Sequence, residues 1–506
     1  MVIQLTRETD QPLYLQVAEQ LRRQIESGEL PPQTRLPPSR ILAKKLGVNR
    51  ITIVNAYAEL EAEGLVMSRV GSGTFVASEQ NDLTALFDLP QPVPWRNPLG
   101  SRRPGNANQM VAEMMRLARQ PGVISFAAGS PPNEFLPVNE LRRALNEVLR
   151  RDGSAVLQYQ EASGHLPLRE VIAQELQAQN MPVTGHDILI TNGCQQALGV
   201  TLSVLTQNKP ATVIVEDPCF LGFLDQLSAR HITPIGVPVD AQGMQVERLE
   251  QLILRHRPRL IYTIPTFHNP TGTTLSLARR QALLELAMRY GVPILEDGAY
   301  NELCYEGESL PTLKNMDTAD LVFYASGYSK TLAPGLRMGY LVAPTPWQER
   351  VVAAKQTSDI FTTPLNQFAL CAYLQGGQFV THLDTVRRVY RERRDRLVAA
   401  ARQYLPPEAI WRCPQGGMYL WVEMPATGPT ATDLYLAAIN YNVAFAIGSV
   451  FSASGSFVHA IRLNFVTPTL DEIDEGMRRL GKAWKELLAR KPAMVQLNRQ
   501  PAVPIL

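Results

Sequence analysis

Apolar residues recur at helical spacing in PLYLQVAEQLRRQIESGEL, at Leu13, Leu15, Val17, Leu21 and Ile25, and the run stops at Ser27 and Gly28. An amphipathic helix is expected there. RLPPSRILAKKLG then gives a proline stop, a start at Ser39 and a short helix closed at Gly47, and NRITIVNAYAELEAEG opens another helix from about Arg50 to Glu63. Two helices joined by a tight Gly-containing turn form a helix-turn-helix. After Gly64 the period shortens: LVMSRVGSGTFV holds two β-prone runs around Gly71, Ser72 and Gly73, a small hairpin or wing. From Ala77 to about Gln109 the period is lost. DLPQPVPWRNPLGSRRPGNANQ is rich in Pro, Asn, Gly and Arg and reads as a linker with one helical turn near residues 83–87, or as an interacting tail carrying Trp95, Arg96, Arg102 and Arg103. From about Met110 to Leu488 short β-branched runs (DILIT, TVIVED, LIYTIP, VPILED, LVFYAS) alternate with helical stretches, and each run ends in polar or turn residues. That pattern predicts an α/β domain whose mostly parallel sheet is covered by helices.

The expected organisation is a winged helix-turn-helix over residues 1–77, a linker over 78–109, the α/β domain over 110–489 and a disordered tail over 490–506. A chain of 506 residues suits two to four domains. With 45% hydrophobic and 19% charged residues and a net charge of +2, composition names no partner for the whole chain. Five widely spread cysteines without metal-ligand spacing read as reduced thiols of a cytoplasmic protein. No window holds about eighteen unbroken apolar residues, and the start lacks the apolar run of a secretion signal, so neither membrane nor export is expected.

Charge placement decides what the first module touches. Between Met1 and Val76 stand nine Lys/Arg and eight Asp/Glu, a balance that says nothing. The distribution is informative: no acid lies between Leu30 and Ala58, where Arg35, Arg40, Lys44, Lys45 and Arg50 fall, and Arg69 sits in the wing. A helix opening with Asn49, Arg50 and Thr52 suits the major groove, where such side chains reach phosphates and base edges. A helical interaction domain with a solvated basic face is the competing reading.

In the α/β domain the chemistry gathers where each strand ends, as it does in open sheets of this kind. Gly193, Cys194 and Gln195 follow DILIT and open a helix whose free amides can hold a phosphate. Phe220 follows TVIVED, Asn269 and a Pro-Thr-Gly turn follow LIYTIP, and Asp297 ends VPILED with Tyr300 three residues on. Lys330 follows LVFYAS in SGYSKTLAPGLRMGY, with Arg337 seven positions later. Taken singly, each is a turn, a cap or a solvated cation. Together they supply what pyridoxal phosphate needs: an amine to form a Schiff base, a carboxylate for the ring nitrogen, a donor to the ring oxygen, an aromatic face and a phosphate cup.

LPPSRILAKKLGVNRITIVNAYAELEAEGLV followed by RVGSGTFV resembles the GntR family of bacterial regulators. The resemblance implies DNA binding, with Arg40 and Arg50 as the principal contacts and Arg35, Ser39, Asn49, Thr52 and the Gly71 turn in support. The region from about Met110 resembles fold type I aminotransferases of the kynurenine and aminoadipate branch. That resemblance implies Lys330 as the catalytic Schiff-base lysine, Asp297 as partner of the pyridine nitrogen, Asn269 and Tyr300 as donors to the phenolic oxygen, and Phe220 as the stacking ring. Cys194, Gln195, Ser329 and Arg337 would hold the phosphate. Gly129 in SFAAGSPP would lie near the substrate, Tyr159 in LQYQEASGHLPLRE would reach the neighbouring subunit's phosphate in a homodimer, and Arg462 in HAIRLNFV would bind a carboxylate. Two departures stand out: Gly327 replaces a usual Ser or Thr three residues before the lysine, and Cys194 stands where a hydroxyl is common. Ser326, one position away, is a candidate replacement donor.

The two halves in this order resemble the MocR subfamily. The expected function is a regulator dependent on pyridoxal phosphate, a homodimer with two DNA-binding arms on operator half-sites, whose second domain senses the cofactor or a carboxylate-bearing amino compound. A working aminotransferase with an accessory DNA-binding domain is the alternative, and a cofactor-free scaffold a third.

Overall fold

The computed structural model describes residues 3, 5, 12–69, 73–77, 116–118, 120–207 and 210–490. The chain divides into two compact units, Met1–Arg102 and Arg103–Leu506. The expected linker turn, the Trp95 region and residues 491–506 lie outside the described residues.

In the first unit three helices, α1 (Leu13–Glu26), α2 (Ser39–Leu46) and α3 (Arg50–Ala62), precede a hairpin of β1 (Val66–Arg69) and β2 (Gly73–Val76). Gly47 closes α2 at φ 65°, in the left-handed region. Asn49 caps α3, its side-chain oxygen accepting from the Ile51 N–H at 3.1 Å. Of the stripe read in α1, Val17 and Leu21 are buried in the core with Leu42, Ile53, Leu60, Val66 and Val76, and Ile25 packs against it, whereas Leu13 and Leu15 are half-buried outside that cluster. Glu61, near the end of α3, accepts from the Ser68 N–H and hydroxyl at 2.8 and 3.1 Å and so fixes the root of the wing.

The second unit carries β3 (Ile124–Ser125) and an eight-stranded sheet. Its strands are β4 (Ile188–Thr191), β5 (Thr212–Asp217), β6 (Thr233–Asp240), β7 (Gly243–Met244), β8 (Leu260–Thr263), β9 (Ile294–Asp297), β10 (Val322–Gly327) and β11 (Gly339–Val342). The five runs read as strands are β4, β5, β8, β9 and β10. Their order is β4-β11-β10-β9-β8-β5-β6-β7, with β11 antiparallel to both neighbours and β7 antiparallel at the edge. Every residue of β4, β8 and β9 is buried, as expected of strands covered on both faces.

A smaller lobe holds a second, antiparallel sheet of β12 (Ile410–Trp411), β13 (Tyr419–Glu423), β15 (Ala446–Ile447) and β16 (Ala460–Asn464), in the order β12-β13-β16-β15. The 27-residue helix Gln378–Tyr404 packs on the final helix Leu470–Arg490 beside it. β14 (Val443–Ala444) pairs in parallel with β3, which ties the start of this unit to the small lobe and brings the chain after Ser125 between the lobes.

Candidate functional site

The carboxyl ends of β4, β5, β8, β9 and β10 open on one cavity of about 550 Å³, closed on its far side by β13, β15 and β16. Both sheets therefore contribute side chains. Cys194, Gln195, Phe220, Asn269, Asp297, Tyr300, Ser329, Lys330, Arg337, Gly129 and Arg462 all line it.

One end suits an anion. Gly193 caps the helix Cys194–Thr206 at φ 79°, and a Cβ there would lie 2.6 Å from Nη2 of Arg337. Only glycine lets the guanidinium lie against the backbone. Arg337 is itself left-handed, at φ 54°, and donates to the Asn192 carbonyl at 2.9 Å, which fixes its position over the helix start. First-turn amides have no preceding turn to satisfy them, so cation and helix dipole act on the same spot. Gln195 points away: its amide donates to the Gly222 carbonyl at 2.8 Å and braces the helix Leu221–Ala229 that carries Phe220 at its start.

Asp297 lies at the floor, buried at 3% exposure. It accepts from the Tyr262 hydroxyl at 3.0 Å, the Ala299 N–H at 3.1 Å and the Cys194 thiol at 3.4 Å. Burial raises its pKa, against those hydrogen bonds and the Lys330 charge. A cation placed over the carboxylate would oppose that shift. The Cys194 thiol, pushed well up by burial and by Asp297, thus serves the carboxylate rather than the anion end.

Lys330 reaches across the cavity and donates from Nζ to the Gly129 carbonyl at 2.8 Å. Behind that carbonyl stands Tyr419, whose hydroxyl occupies the space a Gly129 side chain would need. Burial alone would raise the Tyr419 pKa, but the Lys330 and Arg462 charges and a Tyr300 hydrogen bond outweigh it and bring it down. Tyr300 moves up, chiefly by burial. Asn269 links this end together, donating to the Tyr300 hydroxyl at 3.0 Å and accepting from Nη1 of Arg462 at 2.8 Å.

Arg462 is stacked between the rings of Tyr419 and Phe451, with 4.1 and 4.7 Å to the centroids. Nη2 donates to the Ala127 carbonyl at 2.6 Å, but the buried Nε has no partner among the described residues. Arg462 lines the cavity, and a guanidinium so placed suits an acceptor such as a carboxylate.

The turn carrying Asn269 is held from below. Glu216, at 1% exposure, accepts from the Thr263 hydroxyl at 2.9 Å and the Ile264 N–H at 2.8 Å, and Nε2 of His268 lies 3.2 Å from its carboxylate. That is a packing contact, with no hydrogen bond from His268 Nε2 among the described residues.

Tyr159 does not enter its own chain's cavity; it is 77% exposed, edge-on to Phe361 at 5.3 Å. Ser326 does not replace the missing hydroxyl, because it is buried and donates to the Gly298 carbonyl at 3.2 Å. Gly327 has a steric reason: a Cβ would come within 2.7 Å of the Met338 carbonyl on the way into β11. Tyr262, Tyr419 and Phe451 were not singled out by the sequence. Tyr262 and Tyr419 stand in apolar strand runs and Phe451 in a short 3-10 turn, settings that mark burial without marking a chemistry.

On the first unit, Arg35, Arg40, Asn49 and Arg50 are exposed and Ser39 and Thr52 half-buried. Nε of Arg50 donates to the Ser39 hydroxyl at 3.4 Å, joining the starts of α2 and α3. Arg35 lies 5.9 Å over the Phe75 ring of the wing. Arg69 is the last residue of β1, and Gly71 lies outside the described residues.

Sheet order, lobes and cavity define an aminotransferase-like protein of fold type I. Residues 121–480 match the family model of aminotransferase class I and II, and residues 13–76 match that of bacterial regulatory proteins of the gntR family. The chain is 36% identical to the 2-aminoadipate transaminase of Thermus thermophilus over 79% of its own length and 99% of the relative's. It is 29% identical to the HTH-type transcriptional regulator YisV of Bacillus subtilis over 96% and 98% of the two chains, and 31% identical to the probable rhizopine catabolism regulatory protein MocR of Rhizobium meliloti over 79% of each. Among solved structures, α-aminoadipate aminotransferase LysN of Thermus thermophilus, complexed with N-(5'-phosphopyridoxyl)-L-leucine, matches at a TM-score of 0.70 and 35% identity over 76% of this chain and 98% of that one. The chain belongs to the aminotransferase class I and II family and joins it to a gntR-type helix-turn-helix, the MocR-type architecture. No helix among the described residues is long and apolar enough to cross a membrane.

Proposed function

We propose that this chain is a transcriptional regulator whose DNA binding responds to pyridoxal phosphate and to a carboxylate-bearing amino compound in the cavity between the lobes. The observation that carries the reading is the convergence of Lys330, Asp297, Asn269 and Arg337 on one cavity of a chain that also carries a gntR-type module. The donor set fits the cofactor: a glycine-backed guanidinium at a helix start for the phosphate, a buried carboxylate for the ring nitrogen, a paired amide and phenol for the ring oxygen, and Phe220 for the ring face. When bound, pyridoxal phosphate supplies an aldehyde and an electron-withdrawing ring.

The chain's own groups do the rest. Lys330 presents its amine, held toward Gly129, to the aldehyde. Asp297, its position set by Tyr262 and Ala299, holds a proton on the ring nitrogen. Arg462, which lines the cavity, takes the ligand carboxylate while Asn269 fixes its plane. Tyr159, exposed in the single chain, completes the neighbouring subunit's phosphate site in a homodimer, so that two winged helices face repeated half-sites. Arg40 and Arg50 contact the DNA, with Arg35, Ser39, Asn49, Thr52 and the wing in support.

DNase footprinting of the full chain upstream of its own gene, with and without pyridoxal phosphate, tests this. A protected region whose affinity changes with the cofactor is expected, and its absence overturns the reading. A working transaminase is the second reading, favoured by a site with no catalytic group missing. Stoichiometric keto-acid release in a single turnover, repeated on substrate excess, would establish it.

A further inference from the structure

Five charged side chains line the cavity, and the proposed function employs four: Lys330, Asp297, Arg337 and Arg462. The fifth is Asp225. It stands on the helix Leu221–Ala229 one turn beyond Leu221, and residues four apart share a helix face, so both side chains look into the cavity. Among the described residues no hydrogen-bond donor or cation pairs with its carboxylate. The carboxylate is exposed at the cavity's outer rim, and its partial burial raises its pKa.

The wall between Arg462 and Asp225 is apolar. Phe451, on which the Arg462 guanidinium lies, packs in one cluster with Leu221, Ala446 and Val450. From Leu221, Asp225 lies about 6 Å further along the helix axis. That direction leads outward, because Leu221 and Gly222 are half-buried and Asp225 is exposed. A linear ligand held by its carboxylate at Arg462 would lay its methylenes along Phe451, Val450 and Leu221 and bring its far end to Asp225.

We propose that Asp225 receives a distal cationic group, so that the cavity selects amino acids bearing a second amine or a guanidinium at the end of a short methylene chain. The inference rests on the reading of Arg462 as the carboxylate site. An unpaired carboxylate on the path gains a charge-assisted hydrogen bond from such a ligand and repels a second carboxylate, as in 2-aminoadipate.

The test is calorimetric titration of the full-length, cofactor-loaded protein at neutral pH with lysine, ornithine, norleucine and 2-aminoadipate. The parent should bind lysine or ornithine at least about fivefold more tightly than norleucine, the increment one charge-assisted hydrogen bond provides, and 2-aminoadipate most weakly. Asp225→Asn should bring the diamino acids down to norleucine, and Asp225→Lys should move 2-aminoadipate above them. Equal binding of lysine and norleucine by the parent, or a preference that survives Asp225→Asn, overturns the assignment of Asp225 alone. Failure of all four to bind protein whose cofactor is fixed by borohydride overturns the reading of Arg462 and this inference with it.

Discussion

Lys330 and Asp297 carry the sharpest expectations at the scale of single residues. Lys330→Ala should abolish borohydride-fixed cofactor while leaving the fold intact, because the phosphate cup of Gly193 and Arg337 does not depend on it. Peptide mapping that finds the label on another lysine would contradict this. Asp297→Asn should shift the absorbance of the lysine-bound cofactor and slow its reaction with amines, since a neutral amide cannot hold the ring proton; unchanged spectrum and rate would remove Asp297 from that position. These residues were legible because each stands at a strand end next to turn-forming letters, a local signal. Tyr262 and Tyr419 were not, since in LIYTIP and QGGMYLWVEMP they read as one more apolar strand position. The thiol of Cys194 was misdirected for a related reason. A helix start fixes the backbone amides, whereas the rotamer follows from the buried carboxylate across the floor.

At the scale of elements, β11 explains a departure from the family pattern. The apolar run after Arg337 was not among the runs read as strands, yet it inserts antiparallel between β4 and β10 and presses on Gly327. Gly327→Ser should therefore cost about 1–3 kcal/mol as an overpacked position and leave cofactor affinity no tighter; denaturant melts with cofactor titration read both. The helix Leu166–Ala178 holds a second consequence. Glu175, bonded to the Tyr328 hydroxyl at 2.8 Å two residues before Lys330, is pushed by burial from 4.5 to about 7. A carboxyl whose pKa is raised in the folded state loses stability as pH climbs from the unfolded value to the folded one. Thermal stability should fall between about pH 4.5 and about pH 7 on this account, and Glu175→Gln should flatten that fall. An identical pH profile for the variant would show that Glu175 titrates normally.

The whole molecule joins two modules, each legible from its own periodicity: 3.6-residue spacing then a wing in one, alternating strands and helices in the other. The antiparallel sheet of the small lobe was less visible, because β12 and β15 are two residues each and owe their pairing to partners outside their own runs. On DNA, Arg50→Ala should cost about 1–3 kcal/mol and relax preference at one base pair, while Lys44→Ala weakens all sequences alike and reduces the salt slope by about one. Equal binding of Arg50→Ala and parent across a salt series would place another helix in the groove.

The central claim is that occupancy of the cavity and grip on DNA are linked, and the most direct measurement is the dissociation constant of one footprinted fragment for the parent and for Lys330→Ala, each with and without pyridoxal phosphate. Linkage between two sites typically amounts to about 5- to 150-fold, so the parent should change by at least about fivefold on adding cofactor and Lys330→Ala by much less. A single dissociation constant shared by all four samples would contradict the account and leave two modules that only happen to share a chain.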